Sequence, residues 1–216
     1  MGGSGIPVTT GSQTGDRTAR QPTEEGETEA LRAALYRLLA RFLAAPPDAA
    51  TLEVAGQLGN EEGGELGQAL GLLARVARTT SAEQASQEYH DLFIGVGRGE
   101  LVPYGSFYRT GFLNEKPLAL LRSDLAALGL ARAPGNPEPE DHIAALCEVM
   151  AGLAEGSLAT VDLAGQQRFF DRHLAPWAGK FFTDLERARA ARLYQPLGTV
   201  GRLFVEIEAA GFALAA

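Results

Sequence analysis

Apolar side chains recur at intervals of three and four residues along most of the chain from residue 28 onward. This spacing predicts amphipathic α-helices, because it places the apolar positions on one helix face. Thr28 is a suitable N-cap for the first helix, and Pro46 and Pro47 are placed to end it. The apolar face of that helix comprises Leu31, Leu35, Leu38, Leu39 and Phe42.

Further helices follow with recognisable start and stop signals. Ser81 and Gln84 have the spacing of a capping box, in which each side chain satisfies a free backbone N–H. Gly129 is placed to end a helix, and Pro139 suits the first turn of the next one, where its missing N–H costs nothing. The predicted segments are residues 50–58, 65–78, 82–94, 118–128, 139–153, 163–174, 177–193 and 197–210.

The whole pattern predicts an all-α protein. No window alternates with period two, and Leu and Ala, which favour helices, outnumber the β-branched Ile and Val. We therefore expect a single bundle-like domain over residues 28–216 with roughly eight to ten helices of ordinary length. Residues 1–27 are rich in Gly, Ser, Thr and Gln and are predicted to form a disordered tail.

Charge and composition exclude several classes of function. The net charge is −8 and the arginines are scattered, so general binding to nucleic acid is not expected. No apolar run approaches the ~20 residues that cross a bilayer, and the N-terminus lacks the features of a secretory signal. The single cysteine, Cys147, excludes an internal disulfide. These features predict a cytoplasmic protein without stable membrane insertion.

Two segments carry features of catalytic or nucleotide sites. Gly95–Gly99 superficially resembles a phosphate-binding loop, but no predicted strand precedes it and the Gly-Lys-Ser/Thr ending is absent, so a helix terminator is favoured. Asp141 and His142 fall in the predicted first turn of a helix. The helix dipole there favours a neutral imidazole, which an acid–base hydrolase or a metal enzyme could use. That enzymatic reading stays an alternative, since Cys147 and Glu148 do not share a helix face with His142.

Aromatic residues flank the long loop that follows residue 94. Tyr89, Leu92 and Phe93 share one helix face, and a stripe of this kind usually belongs to a core. The loop itself carries Pro103 and Tyr104, and tyrosine offers apolar area together with a hydroxyl. This combination is typical of surfaces that bind peptides.

The same residues carry a resemblance to a known family. The run EYHDLFIGVGRGELVPYGSFY at 88–108, followed by PEPEDHIAAL at 137–146, resembles the TorD/DmsD-type chaperones of molybdoenzyme maturation, also called redox enzyme maturation proteins. The likeness covers residues 28 to 210. It implies an all-helical, cytoplasmic, non-enzymatic chaperone. Such a protein binds the twin-arginine signal peptide and the apo form of a molybdopterin-dependent oxidoreductase, assists cofactor insertion and delays export.

The resemblance also implies a set of site residues. It implies no metal and no cofactor, apart from the weak guanine-nucleotide binding that is attributed to some relatives. The segment 131–141 matches the hinge at which some members exchange C-terminal halves, so a monomer or a domain-swapped dimer is expected. Glu138 and Glu140 are expected to support the peptide site. The peptide-binding residues implied by the matching motifs are Tyr89, Leu92, Phe93, Pro103, Tyr104, Ser106, Asp141 and His142.

Overall fold

The computed structural model describes residues 24–59, 63–132 and 138–215. This part of the chain folds into ten α-helices and contains no β-strand, which confirms the predicted fold class. A single turn of π-helix, His90–Ile94, continues directly from the fourth helix. The helices are α1 (Glu24–Ala44), α2 (Ala49–Gly56), α3 (Gly64–Ala77), α4 (Ala82–Tyr89), α5 (Gly105–Thr110), α6 (Lys116–Ala127), α7 (Ile143–Ala154), α8 (Leu163–His173), α9 (Ala178–Arg187) and α10 (Tyr194–Ala215).

Two long helices organise the packing of the others. α1 lies along α7, and α10 packs against α9 and α3. Apolar residues at helical spacing along α7 are buried in the core, as the amphipathic pattern predicts; they are Ile143, Leu146, Met150 and Leu153. None of the described helices is long and apolar enough to cross a membrane.

The predicted capping box is present at the start of α4. Ser81 Oγ accepts a hydrogen bond from the Gln84 backbone at 3.2 Å, and Gln84 Oε1 accepts one from the Ser81 backbone at 2.9 Å. Gly129, with φ at +73°, follows α6 in the left-handed conformation that glycine adopts without strain. The capping box and the helix-ending glycine are therefore both present at the predicted positions.

The predicted start of the first helix is wrong. α1 begins at Glu24, so Thr28 lies within the helix and is not its N-cap, and residues 24–27 belong to the folded domain. The remainder of the predicted tail, residues 1–23, lies outside the described residues.

The predicted helix over 177–193 is too long. α9 ends at Arg187, and the connection to α10 runs without helix until Tyr194. The last helix begins earlier than the predicted residue 197, because α10 starts at Tyr194 and includes Pro196 in its first turn. The missing N–H of Pro196 would have no partner inside the helix at that position. The short helix α5 was not predicted, because glycine and proline dominate the loop before it.

Candidate functional site

A cavity of about 630 Å³ opens where α4, the loop before α5, and α7 meet. Its walls combine aromatic, aliphatic and charged side chains from several parts of the chain. The lining residues are Ala44, Tyr89, Phe93, Ile94, Pro103, Tyr104, Leu125, Leu130, Ala131, Arg132, Glu138, Pro139, Glu140, His142, Ala144, Ala145, Glu148, Val149 and Leu158. We call this space the central cavity.

One wall of the central cavity is aromatic and aliphatic. The rings of Tyr89 and Phe93 meet edge to face with centroids 5.0 Å apart, and Phe93 also lies edge to face against the buried Tyr194 at 5.5 Å. Tyr89 is held in place by a hydrogen bond of 3.3 Å from its hydroxyl to the Leu43 carbonyl. Ile94, at the end of the π-helical turn, is more than half exposed. This wall offers apolar surface on a rigid support.

The loop glycines end this wall rather than forming a phosphate-binding loop. Gly95 has φ at +60°, and its N–H donates to the His90 carbonyl at 2.7 Å, which closes the π-helical turn. No strand precedes this loop in the described chain, and no helix begins until Gly105. The backbone geometry therefore matches the predicted helix terminator.

A second wall is built where the two sequence motifs join. Tyr104 and His142 form an isolated antiparallel β-bridge, and their rings meet edge to face at 5.1 Å. The Ile143 N–H donates to the Pro103 carbonyl at 2.9 Å, and the Gly105 N–H donates to the Asp141 carbonyl at 2.9 Å. The Pro-Tyr loop and the start of α7 are thus fastened together by backbone hydrogen bonds.

Asp141 fixes this junction from behind the cavity. Only 3% of Asp141 is exposed, and its Oδ2 accepts a hydrogen bond of 2.6 Å from the backbone of Ser106. Ser106 lies in the first turn of α5, where backbone N–H groups have no partner inside the helix. The carboxylate therefore acts as a cap for α5, and its side chain does not line the central cavity.

His142 is the N-cap of α7, so the prediction that it lies in the first turn of this helix is wrong. Its Nδ1 accepts a hydrogen bond of 3.2 Å from the Ala144 backbone, and the structure places Pro139 before the helix begins. Burial lowers the pKa of His142 to about 4. The imidazole is neutral near pH 7, as expected, but desolvation and not the helix dipole is the cause.

The charged side chains of the central cavity are mainly acidic. Glu138 accepts a hydrogen bond from the Tyr104 hydroxyl, and Glu140 accepts hydrogen bonds from Arg122 at 2.9 and 3.0 Å. Burial raises the pKa of Glu140, but the hydrogen bond and charge of Arg122 outweigh it and leave that pKa below its usual value. With Glu148 and Arg132, the lining holds three carboxylates and one guanidinium, which gives it a net negative charge.

Most of the predicted site residues meet at this cavity. Its lining includes Tyr89, Phe93, Pro103, Tyr104, Glu138, Glu140 and His142. Leu92, Ser106 and Asp141 are buried beside it and contribute no lining surface. The role of all ten residues in peptide binding stays a prediction.

The sequence interpretation missed the part of α7 that faces the cavity. Ala145 is followed by Glu148 and Val149 at intervals of three and four residues, and all three line the cavity. The helical period itself was the available signal, since residues so spaced share one face. Ile94 also lines the cavity and was not predicted, although it directly follows Phe93.

The metal site that His142, Cys147 and Glu148 would form is not assembled. Within the described ranges, no three His, Cys, Asp or Glu side chains gather in a way that could hold a metal ion. Cys147 is buried in the core and Glu148 is exposed, so the two point to different environments. Burial raises the pKa of the Cys147 thiol, which disfavours the thiolate needed for metal binding or nucleophilic attack.

Comparison with known proteins identifies the family. The sequence profile of the nitrate reductase delta subunit family matches residues 60–183, which is more than half of the chain. The chain belongs to this family. Both motifs that carry the TorD/DmsD resemblance, at 88–108 and 137–146, lie inside the matched region.

Curated relatives of this delta subunit family member are named as chaperones. Chaperone protein TorD of Vibrio cholerae is 28% identical over 131 residues, which are 57% of this chain and 60% of the relative. Tat proofreading chaperone DmsD of Salmonella typhi is 30% identical over 138 residues, 63% of this chain and 66% of the relative. The match to TorD thus spans about three fifths of that relative's length. These names confirm the predicted TorD/DmsD-type relationship. They are names of chaperones and not of enzymes, in agreement with the predicted non-enzymatic class.

A solved structure has the same fold. A candidate redox enzyme maturation protein from Archaeoglobus fulgidus aligns with a TM-score of 0.55 at 22% identity, covering 82% of this chain and 94% of the other. At this identity the likeness supports the fold alone. It agrees with the single all-helical domain described above.

Proposed function

We propose that the protein is a cytoplasmic maturation chaperone that binds the twin-arginine signal peptide of a molybdopterin-dependent oxidoreductase in the central cavity. In this role it holds the apo form of the enzyme, assists cofactor insertion and delays export. The supporting observation is the cavity itself, where an aromatic and aliphatic wall faces a rim of net negative charge. The chaperone names of the curated relatives support the same class of function.

The chemistry of the cavity suits such a peptide. A twin-arginine signal peptide carries two arginines followed by an apolar stretch. Guanidinium groups form strong hydrogen bonds with carboxylates, and an apolar segment gains free energy when it leaves water for an apolar groove. Tyr89, Phe93 and Ile94 supply the groove, while Glu138 and Glu148 present carboxylates to the same space.

Calorimetry with synthetic peptides tests the proposal. The full-length protein is titrated with a twin-arginine signal peptide, with the same peptide carrying glutamine in place of both arginines, and with a version whose apolar stretch is replaced by serine. We expect measurable binding of the first peptide and weaker binding of both others. Equal affinity for all three, or no binding of any, would contradict the proposal.

A pull-down from the native cytoplasm tests the identity of the client. We expect recovery of a molybdoenzyme precursor that still carries its leader, and loss of that protein when the leader is deleted.

Light scattering of the purified protein distinguishes the monomer from the domain-swapped dimer. A guanine-nucleotide titration distinguishes the proposed function without a cofactor from the weak nucleotide binding implied by the resemblance.

A further inference from the structure

We infer that Glu148 is the carboxylate that receives a peptide arginine in the central cavity, as a residue that determines specificity for the arginine pair. The inference rests on the proposed function and deepens it. Glu148 belongs to neither of the motifs that carry the resemblance. The inference is based on the hydrogen-bond partners, ion-pair partners and exposure of each carboxylate in or beside the cavity.

Glu140 is already neutralised by the protein's own arginines. Arg122 donates two hydrogen bonds to its Oε2, at 2.9 and 3.0 Å, and Arg132 lies 3.9 Å from Oε1. An incoming guanidinium would have to displace one of these groups, and it would gain only the difference between two similar ion pairs. Glu140 therefore contributes little net attraction for a peptide arginine.

The other two acidic residues of the motif also have structural partners. Glu138 accepts a hydrogen bond from the Tyr104 hydroxyl. Asp141 is 3% exposed and caps α5 through Ser106, so a peptide cannot reach it without opening the junction. Both carboxylates therefore already make contacts that hold the wall of the cavity in place.

Glu148 differs from all three. Its side chain is exposed and lines the cavity from α7, and it makes no hydrogen bond or ion pair within the described residues. Its charge acts on two neighbouring groups, the buried thiol of Cys147 and the guanidinium of Arg37. The Arg37 guanidinium is already held by both oxygens of Glu155. Its carboxylate thus remains available to a ligand.

The surroundings of Glu148 leave room for a long side chain. Ala144 and Ala145, one turn earlier on α7, also line the cavity and carry only methyl groups. An arginine can lay its aliphatic part along such a surface and place its planar guanidinium on the carboxylate. A bound peptide would also exclude water there, which strengthens the ion pair relative to an exposed one.

A double-mutant cycle tests the inference. Glu148→Gln, Glu140→Gln and Glu53→Gln each remove one negative charge, and Glu53 is an exposed control on α2 outside the central cavity. Each variant is titrated with the twin-arginine peptide and with the peptide in which both arginines are glutamine. Circular dichroism verifies that each variant is folded.

We expect Glu148→Gln to weaken binding of the twin-arginine peptide about tenfold, and to have less than about a twofold effect on the glutamine peptide. Glu53→Gln should have no effect on either peptide, and Glu140→Gln should show the smaller coupling to the peptide arginines. Unchanged affinity of folded Glu148→Gln, or a larger coupling at Glu140, overturns the inference alone. Absence of binding by the unaltered protein overturns the proposed function and the inference with it.

Discussion

The backbone N–H of Ser106 and the carboxylate of Asp141 are joined by a hydrogen bond of 2.6 Å across 35 positions of sequence. This contact, together with the hydrogen bond from Gly105 to the Asp141 carbonyl, ties the start of α5 to the residues before α7. Tyr104 and His142, which line the central cavity, lie directly beside these anchors. The shape of the cavity therefore depends on a side chain that the ligand does not need to touch.

Replacing Asp141 with alanine should lower both stability and peptide affinity. The variant loses a buried, charge-assisted cap of α5, so we expect the free energy of unfolding to fall by about 2 kcal/mol. Overall helical content should persist, while peptide binding weakens because Tyr104 is no longer fixed. Urea unfolding and calorimetry measure the two effects.

A second aspartate provides the matched control for that change. Asp162 caps α8 by accepting a hydrogen bond of 2.8 Å from Gly165, is exposed, and lies outside the cavity lining. Asp162→Ala should cost about 1 kcal/mol of stability and leave peptide affinity unchanged. If Asp141→Ala bound peptide as tightly as Asp162→Ala, the anchoring role of Asp141 would be refuted.

The helices of this protein were largely predictable because their signals are local. The period of α7 and the capping box of α4 depend on residues within one or two turns of each other, and both appear in the structure. The end of α9 was not predictable in this way. The connection after Arg187 is held by carboxylates from a distant part of the chain. Local sequence patterns do not reveal such long-range hydrogen-bond partners.

The site was predictable in part for the same reason. The motifs indicated Tyr104 and His142, but only the fold shows that they pair across a β-bridge. The depth of a side chain depends on every element packed around it. Sequence reasoning therefore included the buried Leu92 and Asp141. It left out Glu148, because the helical period indicates which residues share a face but not which face lines a cavity.

Glu88 is the distant partner that holds the start of α10, and its replacement should be costly. Its Oε1 accepts hydrogen bonds from the backbones of Arg192 and Tyr194 at 2.7 and 2.8 Å, and its Oε2 accepts one from Leu193 at 3.1 Å. Glu88 is only 9% exposed. Glu88→Ala leaves three backbone donors without their acceptor, so we expect a loss of about 3 kcal/mol in the free energy of unfolding.

Glu100 supplies the control for this prediction. It accepts hydrogen bonds from Arg189 and Ala190, at 2.8 and 3.1 Å, in the same connection between α9 and α10, but it is exposed. Water replaces the lost acceptor there, and Glu100→Ala should cost less than about 1 kcal/mol. Denaturant unfolding of both variants checks the difference. Similar losses in the two would show that burial does not decide the contribution of Glu88.

Replacing Tyr104 with alanine tests the contribution of the Pro-Tyr loop to binding. The ring lines the central cavity and packs on His142, so its loss should weaken binding of the twin-arginine peptide about tenfold. Phe112→Ala is the control, because Phe112 is 69% exposed and lies outside the cavity lining. Tyr36 is unsuitable as a control, since it is buried and its hydroxyl donates a hydrogen bond to Glu208. Equal affinities of the two folded variants would remove Tyr104 from the site.

His142 should make the protein less stable as the pH falls. Burial lowers its pKa to about 4 in the folded state, against an ordinary value of about 6.5 in the unfolded chain. Between these values the unfolded state binds the proton more readily, so stability is full above pH 6.5 and is lost as the pH falls toward 4. For His142 alone the loss between pH 7 and pH 5 is about 2 kcal/mol.

His142→Asn isolates this contribution. Asparagine is a favoured N-cap and keeps an acceptor for the Ala144 backbone, but it does not titrate. Burial also lowers the pKa of His173, against the opposing effect of Asp124, so part of the pH dependence should remain in the variant. Urea unfolding at pH 7 and pH 5 measures the loss in both proteins, and we expect a smaller loss in His142→Asn. If the two proteins lost the same stability over this interval, His142 would not be buried as a neutral imidazole in solution.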